Sequence, residues 1–281
     1  MDSFVFSAVL LGAACHAGWN AAIKFGLDAI SMTALIAIGA GVIALGLWPL
    51  TGLPLAASFP WLIASVLLHL LYFIGLGESY RVGDLGQVYP IARGTAPLMT
   101  AVLSAPLLGE ALGLFAWSGV VALASGVLLL SVRGGRKLAP FNAQAVGFAL
   151  VTAATICAYS LVDGIGARRS GNPHAYTVTL FISNGLMLAV YALVRRRGGA
   201  LPIMAGYWKI GLVGGALQLA SYGIAIWAMT VAPIALVAAL RETSVLFGVA
   251  IAVVLLKEPL HAIRAAAAVI IVGGLVLIRL Y

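Results

Sequence analysis

The feature that most constrains this chain is a series of long, uninterrupted apolar segments. Cutting the sequence at charged residues and at Pro/Gly clusters leaves ten segments of roughly 20 residues each. A helix of about this length crosses a bilayer, because each residue adds about 1.5 Å. They cover residues 4–25, 31–50, 60–77, 85–108, 112–132, 143–165, 174–194, 208–229, 233–256 and 261–280. Because these segments are continuously apolar rather than alternating, they predict α-helices and not the shorter strands of a membrane barrel.

The composition excludes a soluble fold. Hydrophobic residues make up 63% of the 281 residues and charged residues 9%, against roughly 45–50% and 25% in soluble domains. So few charges cannot cover the surface of a soluble enzyme, and Cys15 and Cys157, both inside apolar segments, indicate neither a disulfide framework nor a metal site. The chain is therefore predicted to be an all-α, multi-pass membrane protein without a metal or other cofactor.

An internal repeat divides the chain into two halves, residues 1–137 and 138–281. Four pairs recur at an offset of 148 residues: Arg93 and Arg241, Thr95 and Thr243, Glu110 and Glu258, and Gly126 and Gly274. A weaker match at an offset of 140 residues aligns Trp19-Asn20 with Tyr159-Ser160. Each half holds five segments, and an odd number predicts that the second half enters the membrane in the opposite orientation. Inverted repeats around a site near the bilayer midplane are typical of transporters.

Several short motifs occur in a characteristic order. They are Trp19-Asn20 followed by Lys24, Tyr89-Pro90-Ile91-Ala92-Arg93-Gly94, Gly109-Glu110 and Lys257-Glu258. Together they resemble the drug/metabolite transporter superfamily, and within it the ten-helix EamA-type branch, which includes bacterial amino-acid and metabolite exporters. The resemblance implies that segments 1–4 and 6–9 surround a central cavity while segments 5 and 10 lie outside it. Asn20 departs from the pattern, since the family commonly has glycine after the tryptophan.

Arg93 and Arg241 are each the ninth residue of their segment, the fourth and the ninth. At about 1.5 Å per residue each lies roughly 12 Å below its own membrane face, so in inverted halves both approach the midplane. An arginine at this depth costs about 2.5–3.5 kcal/mol on insertion scales and normally faces a wet cavity or a partner. We predict that this pair binds the carboxylate of an anionic or zwitterionic solute. The alternative is a structural role in which Glu242 neutralises one arginine.

Two acidic residues in apolar segments of the second half have different predicted roles. Glu242 is the acidic residue of the ninth segment and could couple transport to protons, but its two arginine neighbours favour a role as their charge partner. Asp163, near the end of the sixth segment, is expected at the membrane interface.

Aromatic and polar side chains supply the remaining candidates for substrate binding. Trp19, Asn20, Tyr159 and Ser160 occupy corresponding positions in segments 1 and 6, where aromatic faces with polar tips suit the walls of a site for an amphipathic solute. Ordinary helix packing is the alternative for each of them. Weaker candidates are Tyr72, Tyr80, Tyr89 and Tyr222.

Two further sets of residues bear on how the helices pack and move. Pro90 and Pro97 free backbone carbonyls in segment 4, whereas their counterparts in segment 9 are Ala238 and Val245, so segment 4 is the predicted hinge. His16 and His69 lack metal-ligand spacing and are expected to be hydrogen-bonded core residues.

The basic residues predict the orientation of the chain in the membrane. The connections after odd-numbered segments, with their flanks, contain Lys24, Arg81, Arg133, Arg136, Lys137, Arg195, Arg196, Arg197, Lys209, Lys257 and Arg264. The opposite side has Arg168, Arg169 and Arg279. Because cytoplasmic loops are the basic ones, both termini are predicted to lie outside.

Together these features predict an alternating-access carrier in the bacterial cytoplasmic (inner) membrane. The resemblance implies that it exports amino acids or related small metabolites. One alternative is a sugar-phosphate or nucleotide-sugar carrier of the same superfamily, which should have more Lys or Arg in its cavity. A membrane-embedded enzyme is less favoured because the sequence contains no recognisable catalytic motif. The expected partners are a small solute and the lipid bilayer, not nucleic acid, and a monomer is compatible with the sequence.

Overall fold

A computed structural model describes residues 1–23, 26–82, 85–130, 143–196, 204–254, 257 and 261–281. The described part of the chain is helical and contains no β-strand. Its helices, numbered α1 to α11, are Ser3–Ala22, Ala29–Thr51, Phe59–Val82, Leu85–Leu108, Leu114–Leu129, Ala143–Arg169, Pro173–Arg196, Trp208–Val231, Ile234–Arg241, Ser244–Val254 and Ala262–Leu280. A 3₁₀ turn, Ala56–Ser58, leads into α3.

The prediction of an all-α protein with long apolar helices is confirmed. Counting α9 and α10 as one span, nine spans among the described residues are long and apolar enough to cross a bilayer, and α5 is a shorter apolar helix. Large apolar side chains are exposed on the outer faces, Leu50, Leu114 and Val269 among them. Such a surface suits contact with lipid rather than water. The architecture therefore fits a multi-pass membrane protein.

Short polar and glycine signals set several helix ends. Asp2 Oδ1 accepts a hydrogen bond from Phe4 N at 2.8 Å at the start of α1, and Asp28 caps α2 in the same way. These caps satisfy amide groups that have no partner within the helix. Gly109 follows α4 with φ +69°, a backbone conformation that glycine adopts without strain.

The helices pack in pairs around the centre of the molecule. Helix α6 packs against α3 and α4, α1 packs against α8 and α10, and α2 packs against α7 and α8. At the edge of this group, α5 and α11 pack against each other. The short helix α9 packs mainly against α4, and all eight of its residues are buried.

Glycines bring the backbones of α2 and α7 into direct contact. A Cβ atom at Gly41 would lie 3.2 Å from the Gly185 Cα and 3.2 Å from the Phe181 carbonyl oxygen. A Cβ atom at Gly185 would lie 3.0 Å from the Gly41 Cα and 3.0 Å from the Ala37 carbonyl oxygen. Close backbone approach of this kind is how helices associate in a bilayer.

The same kind of contact joins α5 and α11. A Cβ atom at Gly126 would lie 3.0 Å from the Ala267 carbonyl oxygen, and one at Gly274 would lie 2.9 Å from that of Gly119. These glycines are therefore required for the observed distance between the two helices.

Several parts of the sequence-based prediction fall outside the described residues, Arg197 of the orientation prediction among them. The boundary between the two halves lies within residues 131–142, Glu258 is the second glutamate of the repeat, and Lys24 belongs to the first motif.

Candidate functional site

The ninth predicted span is broken in its middle. Helix α9 ends at Arg241, Glu242 and Thr243 form a turn, and α10 begins at Ser244. In the turn, Glu242 N donates to the Ala239 carbonyl and Thr243 N to the Leu240 carbonyl, both at 3.1 Å. These are 3₁₀-type bonds, and a stretch of this kind inside a helix often marks a functional hinge.

The position of this interruption differs from the sequence-based expectation. We expected segment 9 to be one helix and segment 4, kinked at Pro90 and Pro97, to be the hinge. Helix α4 runs through both prolines from Leu85 to Leu108, and its role as the hinge stays a prediction. The break occurs where buried polar side chains follow one another, from Arg241 to Ser244.

Arg93 and Glu242 form a buried ion pair between α4 and this turn. Arg93 Nε lies 2.8 Å from Glu242 Oε2, and the two side chains are only 3% and 5% exposed. Arg93 Nη2 also lies 3.3 Å from Nε2 of His16, on α1. The charge-partner interpretation of Glu242 therefore agrees with the geometry, and Arg93 is the arginine that it contacts.

Arg241 is held differently. Its guanidinium carbon lies 4.6 Å from the centroid of the Tyr222 ring, a cation–π contact with α8. The residue is 8% exposed, and its Nε has no hydrogen-bond partner among the described residues. A buried guanidinium group presents five rigid donors and normally satisfies them. This donor is therefore available to a ligand.

Asp163 lies within the protein, among packed helices, and its expected depth at the membrane interface stays a prediction. Its side chain is completely buried, and its Oδ1 accepts a hydrogen bond from the Tyr176 hydroxyl at 2.9 Å. Its other oxygen, Oδ2, accepts one from the Tyr222 hydroxyl. Tyr222 therefore connects the two charged groups, with its ring against Arg241 and its hydroxyl on Asp163.

Aromatic rings from α3 and α6 surround Tyr222. The His69 ring stacks on Tyr159 with centroids 4.5 Å apart and meets Tyr222 edge-on at 5.7 Å. Tyr72 contacts Tyr159 at 5.9 Å. His69 Nδ1 donates to the Ser65 carbonyl at 2.9 Å, so this histidine is the hydrogen-bonded core residue that we predicted.

A small cavity lies between α4, α6 and α9, beside Arg241 and Glu242. Its volume is about 10 Å³, which is the space of one water molecule. Its lining residues are Ala96, Pro97, Thr100, Ile156, Ser160, Ala238, Arg241 and Glu242. This cavity is too small for an amino acid.

A salt bridge holds the first residue of α9, at the end of this helix away from the turn. Glu110 Oε1 accepts from Arg168 Nη2 at 2.5 Å, and Glu110 Oε2 accepts from the Ile234 amide at 2.8 Å. Arg168 Nε also donates to the Met229 carbonyl at 2.8 Å, near the end of α8. This clamp fixes both sides of the connection between α8 and α9.

The predicted site residues are only partly brought together. Arg93, Arg241, Glu242, Tyr159, Ser160, Tyr222 and Pro97 lie around the break or its cavity. Trp19 and Asn20 do not reach the cavity. The Trp19 ring meets the His16 ring edge-on, and Asn20 Nδ2 donates to the His16 carbonyl at 2.8 Å. The side chain of Tyr89 lies outside what the structure describes, and Pro90 is not among the cavity residues.

Sequence analysis missed Asp163 and Tyr176 as members of the site. A carboxylate within an apolar segment is a signal for a functional group. Its two hydroxyl partners come from α7 and α8. Tyr222 was already a candidate, but nothing in the sequence pairs either tyrosine with Asp163.

The sequence matches no protein-family model and no curated protein. Among solved structures, 29 chains are similar. One of them, described only as the crystal structure of a protein, superposes with a TM-score of 0.77 over 99% of this chain and 96% of its own length, at 18% identity. At this identity the likeness concerns the fold alone.

Proposed function

We propose that this chain is an alternating-access carrier that exports amino acids or related carboxylate-bearing metabolites across the bacterial cytoplasmic membrane. The observation that carries the proposal is Arg241. It is a buried cation at the break of a membrane helix, beside a cavity, with a donor that lacks a partner among the described residues. Broken helices with charged groups at the break form the substrate sites of many transporters.

Reciprocal glycine contacts support two inverted five-helix repeats and ten transmembrane helices. Shifting by 148 residues maps Gly126 onto Gly274 and Gly119 onto Ala267. The contact of Gly126 with Ala267 is thus the counterpart of that between Gly274 and Gly119. When the shift between the repeats turns a contact into the same contact with its two partners exchanged, the two halves are related by a two-fold axis.

The pair α2 and α7 gives the same support at a shift of 144 residues. Gly41 maps onto Gly185 and Ala37 onto Phe181. Gly41 approaches the Phe181 carbonyl and Gly185 approaches the Ala37 carbonyl. This shift lies between the 140 and 148 residues found from the sequence, and it agrees with insertions that accumulate along the second half. An EamA-type arrangement is consistent with this pattern.

Substrate binding then requires the helices around the cavity to separate. A cavity of about 10 Å³ holds one water, so α4, α6 and α9 must move apart to admit a solute. The turn at Glu242 and Thr243 is the proposed point of bending, because its backbone is already released from regular α-helical bonding.

The test is solute flux in proteoliposomes that contain the purified chain. A panel of labelled amino acids, measured with and without a pH gradient, should identify solutes that move unchanged. For such a solute, Arg241→Ala should lower the flux at least about tenfold, since a charge-assisted bidentate bond is lost. Arg241→Lys should restore part of it, because the charge returns without the planar fork.

The matched control is Arg169→Ala, at the exposed end of α6, where the guanidinium group contacts Trp61. This variant should transport like the wild type. Wild-type flux in Arg241→Ala would contradict the proposed carboxylate site, and chemical conversion of the solute would indicate an enzyme instead.

A further inference from the structure

We propose that Asp163 binds the ammonium group of a zwitterionic substrate whose carboxylate is bound by Arg241, and that Tyr222 occupies both positions when no substrate is present. This inference rests on the proposed function and narrows its substrate class. It makes Asp163 the residue that distinguishes amino acids from simple carboxylic acids.

The surroundings of Asp163 suit an ammonium group. Each carboxylate oxygen accepts one hydroxyl hydrogen bond, from Tyr176 and from Tyr222, and no lysine or arginine of the described chain forms an ion pair with it. A carboxylate has about four lone-pair sites, and an ammonium group offers three donors. Asp163 thus keeps acceptor capacity that a cationic ligand would use.

Tyr222 occupies the space between the two anchors. Its ring lies 4.6 Å from the Arg241 guanidinium carbon, and its hydroxyl donates to Asp163. The anchors are therefore separated by about one tyrosine side chain. In an α-amino acid the ammonium and carboxylate groups are attached to the same carbon. With a hydrogen bond of about 2.8–3.0 Å to each anchor, such a molecule spans a gap of this size once Tyr222 moves aside.

The charges of the cluster favour a zwitterion over an anion. Arg93 pairs with Glu242, which leaves Arg241 and Asp163 as a second cation and a second anion. A zwitterion keeps this balance unchanged. A carboxylic acid without the amine would place its negative charge near Asp163 with nothing to offset it, and such repulsion is strong where water is excluded.

The experiment compares amino acids with their 2-hydroxy acids. Alanine is paired with lactate, leucine with 2-hydroxy-4-methylpentanoate and phenylalanine with 3-phenyllactate, and each competes for labelled flux and for binding to the purified chain. The wild type should prefer the amino acid at least about tenfold, as expected of a site built to hydrogen-bond the missing group. Asp163→Asn should bring each pair within about threefold, and Asp163→Glu should keep most of the preference.

Two further variants sharpen the test. Tyr222→Phe removes the hydroxyl that competes for Asp163, so amino-acid affinity should rise several-fold while the ring stays on Arg241. Asp2→Asn is the matched control, because asparagine also caps a helix and Asp2 lies at the start of α1. It should show the wild-type preference.

The possible results separate this inference from the proposed function. Flux of amino acids with equal use of the 2-hydroxy acids, or full discrimination by Asp163→Asn, overturns the role of Asp163 alone. Unchanged affinity in Tyr222→Phe overturns it as well, even if Asp163→Asn fails to fold. Absence of any amino-acid flux in the wild type overturns both proposals.

Discussion

At the scale of the residue, the buried charges depend on one another. Arg93 and Glu242 are both almost completely removed from solvent and lie 2.8 Å apart. Taking two ions out of water costs several kcal/mol each, and their attraction offsets this only while both are present. The pair therefore contributes specificity to the packing of α4 against α9 more than it contributes net stability.

Removing one member of this pair should destabilise the protein more than removing both. Arg93→Met leaves an uncompensated buried carboxylate and should lower the free energy of unfolding by about 3–5 kcal/mol. Glu242→Gln leaves the arginine and should act similarly, whereas the double variant should recover much of the loss. Thermal unfolding of the three proteins in detergent measures this. Losses that simply add in the double variant would show that the two side chains are not coupled.

The residues of the site could be predicted only in part. The depths of Arg93 and Arg241 follow from counting along apolar segments, and Glu242 adjoins one of them in sequence. The partners of Asp163 could not be deduced, because Tyr176 and Tyr222 lie on other helices and are paired with it only by packing. For Trp19 the repeat identified a matching position, but the side chain packs with His16 on its own helix.

At the scale of the element, the short helix α9 is held at both ends. Glu110 and Arg168 fix its start, and the turn with Glu242 ends it next to Arg93. Because it has only eight residues, α9 can transmit a shift at either end to the other. The clamp and the ion pair are thus connected through a single rigid piece of backbone.

Glu110→Gln should loosen α9 without moving the other helices. The variant loses a charge-assisted bond to Arg168 and weakens the cap on Ile234, with an expected stability loss of about 1–3 kcal/mol. Hydrogen–deuterium exchange measured by mass spectrometry should show faster exchange in peptides from α9. Peptides from α2 serve as the internal control. Equal exchange of α9 in the variant and the wild type would rule out a role for the clamp.

The glycines between α2 and α7 give a second test at this scale. Gly41→Val and Gly185→Val each place atoms where the opposite backbone already lies, so each should lower stability by about 1–3 kcal/mol or more. Gly46→Val is the matched control on α2, because a Cβ atom there meets nothing within 4 Å. Thermal unfolding compares the three variants. If Gly46→Val is as unstable as Gly41→Val, the loss of stability comes from placing valine in a helix and not from the contact between the helices.

Helix positions were predictable to within a few residues, whereas the break in the ninth span was not. Continuous apolar length determines where a chain can cross a bilayer, and this information is local. The sequence around the break, Ala238 to Val245, contains neither proline nor glycine. Its backbone leaves the α-helix where consecutive polar side chains find partners on other helices, and that depends on the tertiary structure.

At the scale of the whole molecule, the sequence assigns the basic residues unequally to the two predicted membrane faces. Most of them belong to connections after odd-numbered segments, and the deep exceptions are Arg93 and Arg241. We therefore interpret the excess of basic residues, 16 Lys and Arg against 8 Asp and Glu, mainly as a predicted orientation signal.

The orientation prediction is tested with reporters fused after Tyr281. With both termini outside, a reporter that is active only in the cytoplasm should be silent, and one that is active only outside should give a signal. A fusion in the connection around Arg136 should show the reverse pattern and is the control for expression. Strong cytoplasmic activity at Tyr281 would reverse the assignment of the two faces.

The small cavity also has a consequence for the energy balance of a cell. Protons cross proteins along files of hydrogen-bonded water, and a space for one molecule between α4, α6 and α9 cannot contain such a file. Each elementary charge that leaks across a bilayer dissipates about 2.3 kcal/mol per 100 mV of membrane potential. Tight packing at the break therefore leaves no file of water between α4, α6 and α9, so protons find no path through this part of the described chain in this conformation.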